Sequence, residues 1–194
     1  MKMLRLFLKN IITYFFLKYH KVDFNYGKVS LIGFPIIKKH PGSKIIIEDN
    51  VTIVSKTKGN IAGVNNKSLI ATVTHGAKIE LKYNSGLSGA KIVSASCITL
   101  GRNSGLGANS VVYDTDFHPV DAEKRRTQTS LNEADSKPVL IGDDVLIGAG
   151  STILKGTIIG DKCVLGAASV VANKRLLKST VYAGNPVKLI KKIL

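Results

Sequence analysis

The residue that most invites chemistry is His118. Of four histidines, His20, His40, His75 and His118, it alone lies in a stretch dense with ionisable groups: Asp114, Asp116, Asp121, Glu123, Lys124, Arg125 and Arg126. A neutral imidazole, with its pKa near working pH, can take a proton from an attacking hydroxyl. In an extended segment residues two apart share a face, so Asp116 is expected to hold the second ring nitrogen and fix the tautomer. Asp114 is the next candidate for that role. Two cysteines, Cys97 and Cys163, are too few for a disulfide scaffold or a four-thiolate zinc site. The expected chemistry is proton transfer without a metal.

Something rigid must carry this segment, and the rest of the sequence says what. From Ile141 the chain reads in sixes, with Ile141, Ile147, Ile153, Ile159, Leu165 and Val171 at the first position and glycine at four of the six second positions. A period of six fits neither the 3.6 of a helix nor simple strand alternation. It fits short strands separated by corners, each strand sending one aliphatic side chain inward, with glycine at the tight turn. Three hexads close a triangular coil. The same phase recurs at Leu100, Leu106 and Val112, at Leu81, Leu87 and Val93 with one extra residue before Leu100, and at Ile47 and Ile53. The expectation is an all-β parallel β-helix solenoid. Between Val112 and Ile141 the spacing is not a multiple of six, so residues 113–138 must leave the coil as an extruded loop. Long loops mounted on rigid scaffolds usually carry function.

The chain has 194 residues, 44% of them hydrophobic and 21% charged, which excludes a disordered tail or a fibre. Its net charge of +15 is uneven: residues 1–44 carry nine Lys/Arg against one acid, residues 174–194 six against none, and the middle is almost neutral. With no zinc-finger spacing, no aromatic-rich ribonucleoprotein motif and no Trp, nucleic acid is not the expected partner. The expected organisation is a basic helix and lead-in over 1–44, the β-helix over 45–176 and a tail over 177–194. Met1 to His20 looks helical, with a polar stripe of Lys2, Arg5, Lys9 and Thr13 and apolar residues elsewhere. Such a wide apolar face is expected either to pack on the solenoid end or a neighbouring subunit, or to act as a peripheral anchor on an anionic membrane. It is too short and too charged to span a bilayer, and no small-residue cleavage site follows. The expected location is the cytoplasm, peripheral on the inner membrane surface if the anchor reading holds.

The hexads, the loop with Asp116-Phe117-His118-Pro119, the re-entry Lys137-Pro138-Val139-Leu140-Ile141-Gly142 and the tail Ala183-Gly184-Asn185-Pro186-Val187-Lys188 resemble the hexapeptide-repeat acyltransferases. Within that family the chain looks most like sugar O-acetyltransferases of the galactoside and maltose type, over roughly residues 81–193. The resemblance implies a left-handed coil, a homotrimer with active sites between subunits, acetyl-coenzyme A as cosubstrate and a short C-terminal helix. It implies that His118 is the catalytic base acting on a sugar hydroxyl, in surface polysaccharide or glycolipid synthesis. Ala149 and Ala167 match small positions along the pantetheine arm, and Lys188 and Lys191 match residues that meet the cofactor's phosphates. Ser88 stands, loosely, where galactoside-type enzymes place an acceptor-binding Asn. Leu146 stands where the family often has Trp, which removes a stacking surface. An N-acetyltransferase on an amino sugar or nucleotide-amino sugar is the alternative, and a non-catalytic binding solenoid is a weaker one. A γ-type carbonic anhydrase on the same coil needs three metal-binding imidazoles, and the loop offers one.

Overall fold

The computed structural model describes residues 2–57 and 60–193. Its body is a triangular prism of short parallel strands wound in succession onto three faces. Face A stacks β1 (Asp23–Phe24), β4 (Lys44–Ile47), β7 (Lys78–Leu81), β10 (Cys97–Leu100), β13 (Val139–Ile141), β16 (Ile158–Ile159) and β19 (Arg175–Leu176). Face B stacks β2 (Ser30–Ile32), β5 (Thr52–Val54), β8 (Gly86–Ser88), β11 (Gly105–Leu106), β14 (Leu146–Ile147), β17 (Val164–Leu165) and β20 (Thr180–Ala183). Face C stacks β3 (Ile36–Lys39), β6 (Leu69–Thr72), β9 (Lys91–Ser94), β12 (Val111–Tyr113), β15 (Thr152–Ile153) and β18 (Val170–Val171). This is the fold of the left-handed parallel β-helix.

The hexad residues form the core as their spacing demands. Ile141, Ile147, Ile153, Ile159, Leu165 and Val171 are all buried, and the column continues through Leu106, Leu87 and Ile53 on one face alone. Corners between faces A and B use Asn50, Asn84, Asn103 and Asp144 at positive φ, where a short polar side chain tolerates the left-handed region.

Three expectations need correction. The first coil already begins at β1, inside the segment expected as lead-in, because Val22, Val29, Leu31 and Ile37 join the same core. The residue in register with Val112 is Ile92, not Val93. The chain reaches Ile92 early and then makes a wide corner at Ala95 and Ser96 before β10. The C-terminal helix is a strand: β21 (Lys188–Lys192) folds back antiparallel on β20, which offers an open edge once the coils end. Finally, of the alternatives expected for α1 (Lys2–Tyr19), packing on the solenoid end accounts for only part of its apolar face: Leu17 is buried and Phe16 packs on the core, but Phe7, Leu8, Ile12, Phe15 and Tyr19 are exposed. The expected stripe positions Lys2 and Arg5, with the neighbouring Leu4 and Leu6, have side chains outside the described residues. Among the described residues no helix is long and apolar enough to cross a membrane.

Candidate functional site

The extruded loop leaves face C at the end of β12 and returns at β13. Its two legs are zipped together: Thr115 and Ser136 form an antiparallel bridge, the Asp116 amide donates to the Asp135 carbonyl (3.1 Å) and the Lys137 amide to the Asp114 carbonyl (2.9 Å). Lys155, at the corner after β15, pins this root from the next coil. Its Nζ lies 2.8 Å from Asp116 Oδ2 and also pairs with Asp135. The two carboxylates hold the Lys155 ammonium above its usual pKa, and Lys155 holds Asp135 below the usual carboxylate range. Phe117 sets its ring edge-on to Tyr113, 5.0 Å between centroids.

Neither aspartate touches His118, contrary to the expected pairing. Alternation of faces requires extended backbone at the residue between, and Phe117 has φ +64°. A bulky residue in the left-handed region is a costly conformation held by its surroundings. It turns His118 away from Asp116. Asp114 is wholly buried and accepts from Ser94 Oγ (2.6 Å), the Ala95 amide (2.6 Å) and the Ser96 amide (2.9 Å), building the wide corner after β9. Burial pushes its carboxyl above the usual range, with these hydrogen bonds partly offsetting that.

The partner of His118 is Gln128. His118 Nδ1 lies 2.7 Å from Gln128 Oε1, while Gln128 Nε2 donates to the carbonyls of Phe117 (3.0 Å) and Ser130 (2.9 Å). With the amide nitrogen committed to two acceptors, the amide oxygen must face the ring. The ring nitrogen opposite an acceptor must donate, so in the neutral ring Nδ1 carries the proton and Nε2 the lone pair, on an exposed side chain. Local capping fixes Gln128 in turn. Just before it runs the short helix α2 (Ala122–Thr127), N-capped by Asp121. Ser130 and Glu133 form a capping box on the single turn that follows. Gln128 carries no charge and stands ten residues beyond His118, so nothing in the spacing signals it.

The other expected site residues lie on the edge between faces B and C. Ser88, Gly107, Gly148, Gly166 and Ala183 follow the paired strands in register as one column. A Cβ on Gly148 would run into the Ala167 backbone, so glycine here permits the coils to stack. Ala149 and Ala167 come next in sequence, stacked through the Ala168 amide and Ala149 carbonyl (2.9 Å), and give a smooth strip of small side chains. The C-terminal strand pairs Lys188 with Ala183 and Lys191 with Val181, which brings Lys188 to the end of that strip. Both lysines are exposed.

A second excursion, described over residues 55–57 and 60–68, meets this edge at Ser88. Asn60 Nδ2 donates to Ser88 Oγ (3.0 Å), and Asn60 Oδ1 accepts from the Ala62 amide (2.8 Å). On face B beside it, Gly86 and Gly105 floor a shallow groove rimmed by Thr52, Asn60, Ser88 and Leu146. A Cβ on Gly105 would meet nothing within 4 Å and its φ is ordinary, so this chain's own packing does not require glycine there. Strand glycines of this kind mark close approach of something from outside.

Two clusters therefore emerge: His118 with Gln128 at the edge between C and A, and Ser88, Asn60, Ala149, Ala167 and Lys188 at the edge between B and C. Among the described residues no hydrogen bond or ion pair joins the loop to the second cluster, and no group of three or more His, Cys, Asp or Glu is placed to hold a metal.

Residues 138–172 match the family model described as the hexapeptide repeat of succinyl-transferase. A Dictyostelium discoideum protein provisionally named as an acetyltransferase is 43% identical over 105 residues, 54% of this chain and 52% of that protein. The chain spans about half the length of the curated relatives it matches. Among solved structures, a polysialic acid O-acetyltransferase superposes with TM-score 0.58 at 19% identity, covering 86% of this chain and 85% of that one. An N-acyltransferase of Bacillus cereus, crystallised with dTDP-4-amino-4,6-dideoxyglucose and coenzyme A, gives TM-score 0.56 at 19% identity over 84% and 86%.

Proposed function

We propose that this chain, a hexapeptide-repeat protein built on the fold of the hexapeptide-repeat acetyltransferases, transfers an acetyl group from acetyl-coenzyme A to a sugar hydroxyl. The observation that carries this reading is the 2.7 Å contact between His118 Nδ1 and Gln128 Oε1. Nδ1–H is tied to Gln128, so Nε2 presents a lone pair that can take the acceptor's proton as its oxygen attacks. As that proton arrives, Gln128 Oε1 stabilises the cationic ring by accepting from Nδ1. Lys155, gripping both legs of the loop, sets where the ring stands.

The residues of the edge between faces B and C fit acetyl-coenzyme A. Ala149 and Ala167 leave the strip flat enough for an extended pantetheine arm, and Lys188 and Lys191 offer point charges to phosphates. When bound, the cosubstrate supplies an acyl carbon activated as a thioester. Asn60 and Ser88 offer hydrogen bonds to a polyhydroxylated acceptor lying over Gly86 and Gly105. The amide that galactoside-type enzymes carry at the position of Ser88 would thus come from the neighbouring excursion.

Because the loop and the strip occupy different edges of one prism, His118 can stand over the strip most simply when it comes from a neighbour. A homotrimer with three shared sites meets that need. We assign the acceptor to surface polysaccharide or glycolipid synthesis. An amino sugar could use the same base, so the acceptor panel must contain both kinds.

The test is thiol release from acetyl-coenzyme A across a panel of glycans and amino sugars, with wild type and His118→Ala. A general base contributes about 10²–10⁴ in rate, so His118→Ala should lose that much kcat with unchanged assembly. Full turnover by His118→Ala would refute the assignment, and turnover only with amino sugars would turn it into N-acetylation.

A further inference from the structure

The first helix presents its apolar side to the outside. Thr13 and Leu17 are buried, and Leu17 belongs to the core that closes the first coil. Leu8, Ile12, Phe15 and Tyr19 recur at helical spacing and are 49, 52, 66 and 83% exposed. At 3.6 residues per turn the centre of this stripe lies about 150° round the axis from the buried side; Leu8 and Ile12 flank a cleft against Leu31, Gly33 and Phe34, and Phe15 and Tyr19 stand clear of the prism. A contiguous stripe of this kind needs a covering.

What covers it is indicated by charge. Residues 1–44 carry nine Lys/Arg and one acid. Lys9 and Lys18 lie exposed on α1 itself. Where the stripe ends, Tyr19 also lines a cleft of 410 Å³ with His20, Lys21, Lys39 and His40, a cleft without an acidic residue in its lining. An apolar ridge running into a cationic cleft matches a lipid surface, acyl chains under the ridge and phosphate headgroups at the cleft.

We infer that the outward face of α1, with the Lys21 and Lys39 cleft at its end, docks this protein on an anionic phospholipid surface. The side chains would enter the headgroup region without spanning the bilayer, and any cyclic assembly would place its copies of α1 on one side, so that all engage the same membrane. This surface is separate from the loop and the alanine strip, and its binding does not depend on acetyl transfer.

The experiment is flotation of the full-length chain with vesicles of phosphatidylcholine alone or mixed with an equal amount of phosphatidylglycerol. Wild type should float with the mixed vesicles and far less with the neutral ones. Lys21→Ala/Lys39→Ala should weaken partitioning into mixed vesicles about 25-fold, roughly fivefold per lysine. Leu8→Ser/Phe15→Ser should weaken it about a hundredfold or more, with unchanged far-ultraviolet dichroism. Equal flotation on both vesicle types, or an unaffected Leu8→Ser/Phe15→Ser variant, overturns the inference. So does a wild type that ignores vesicles while Leu8→Ser/Phe15→Ser lowers the mass seen by light scattering, which would make the stripe a subunit contact.

Discussion

Replacing Gln128 by Glu changes the charge of the group that faces the base. Glutamate keeps an oxygen acceptor opposite His118 Nδ1 but makes it a full negative charge. It also loses the amide that donates to the Phe117 and Ser130 carbonyls. A hydrogen bond to a charged group contributes about 1.5–3 kcal/mol against 0.5–1.5 for a neutral one. The imidazolium form of His118 should therefore be favoured in the variant, by less than that difference because the contact is solvent-exposed and screened. The sign follows directly: a nearby anion favours the protonated ring, and a protonated ring cannot act as base. The acidic limb of kcat/KM against pH, followed by thiol release, should move upward in Gln128→Glu. Gln128→Leu should lose about tenfold in rate with the limb moved little, since it removes the orientation without adding charge. If Gln128→Glu leaves the acidic limb in place and Gln128→Leu turns over fully, Gln128 does not set the tautomer of the base.

Lys155→Met should loosen the loop root without unfolding the coils. Amide protection of Asp116 and Lys137 should fall and kcat should drop several-fold, as measured by hydrogen exchange and thiol release. The pH window is set by the two shifts: Asp135, depressed, contributes fully above about pH 4 and its share is lost as pH falls through its folded value, while Lys155, raised, keeps its share until above about pH 10.5. Wild-type protection should therefore be flat from pH 5 to 9, and a fall centred near neutrality would contradict the Lys155 clamp. Lys188→Ala/Lys191→Ala should weaken coenzyme A binding and flatten its dependence on salt, read by calorimetry at several ionic strengths. A slope equal to wild type would detach these lysines from the phosphates.

The relation between sequence and structure differs from one part of the chain to another. Six hexads in phase specify the prism because each inward aliphatic residue has only one way to be buried, and Ile141 through Val171 follow it without exception. The extrusion of 113–138 is equally legible, since its length breaks the period. At β9 the period misleads. Val93 and Ile92 are both aliphatic, and only the wide corner held by the buried Asp114 decides that Ile92 faces in. The tail misleads for a related reason: three-residue spacing of Lys188 and Lys191 suits a helix, but the open edge of β20 offers unpaired backbone groups, and pairing them wins.

What the sequence determined by itself was everything local and repetitive: the coil, the place where the chain leaves it, and the one histidine exposed on that excursion. What only tertiary structure decided was the company each functional group keeps. Asp116 stands two residues from His118, yet the left-handed turn at Phe117 hands it to Lys155 and gives the imidazole to Gln128. Asn60 reaches Ser88 across 28 residues. Periodicity reports which side of a strand meets the core, because burial acts on every repeat alike. A hydrogen bond between loop residues depends on a single backbone angle and on partners brought in from other coils, and no local pattern records it.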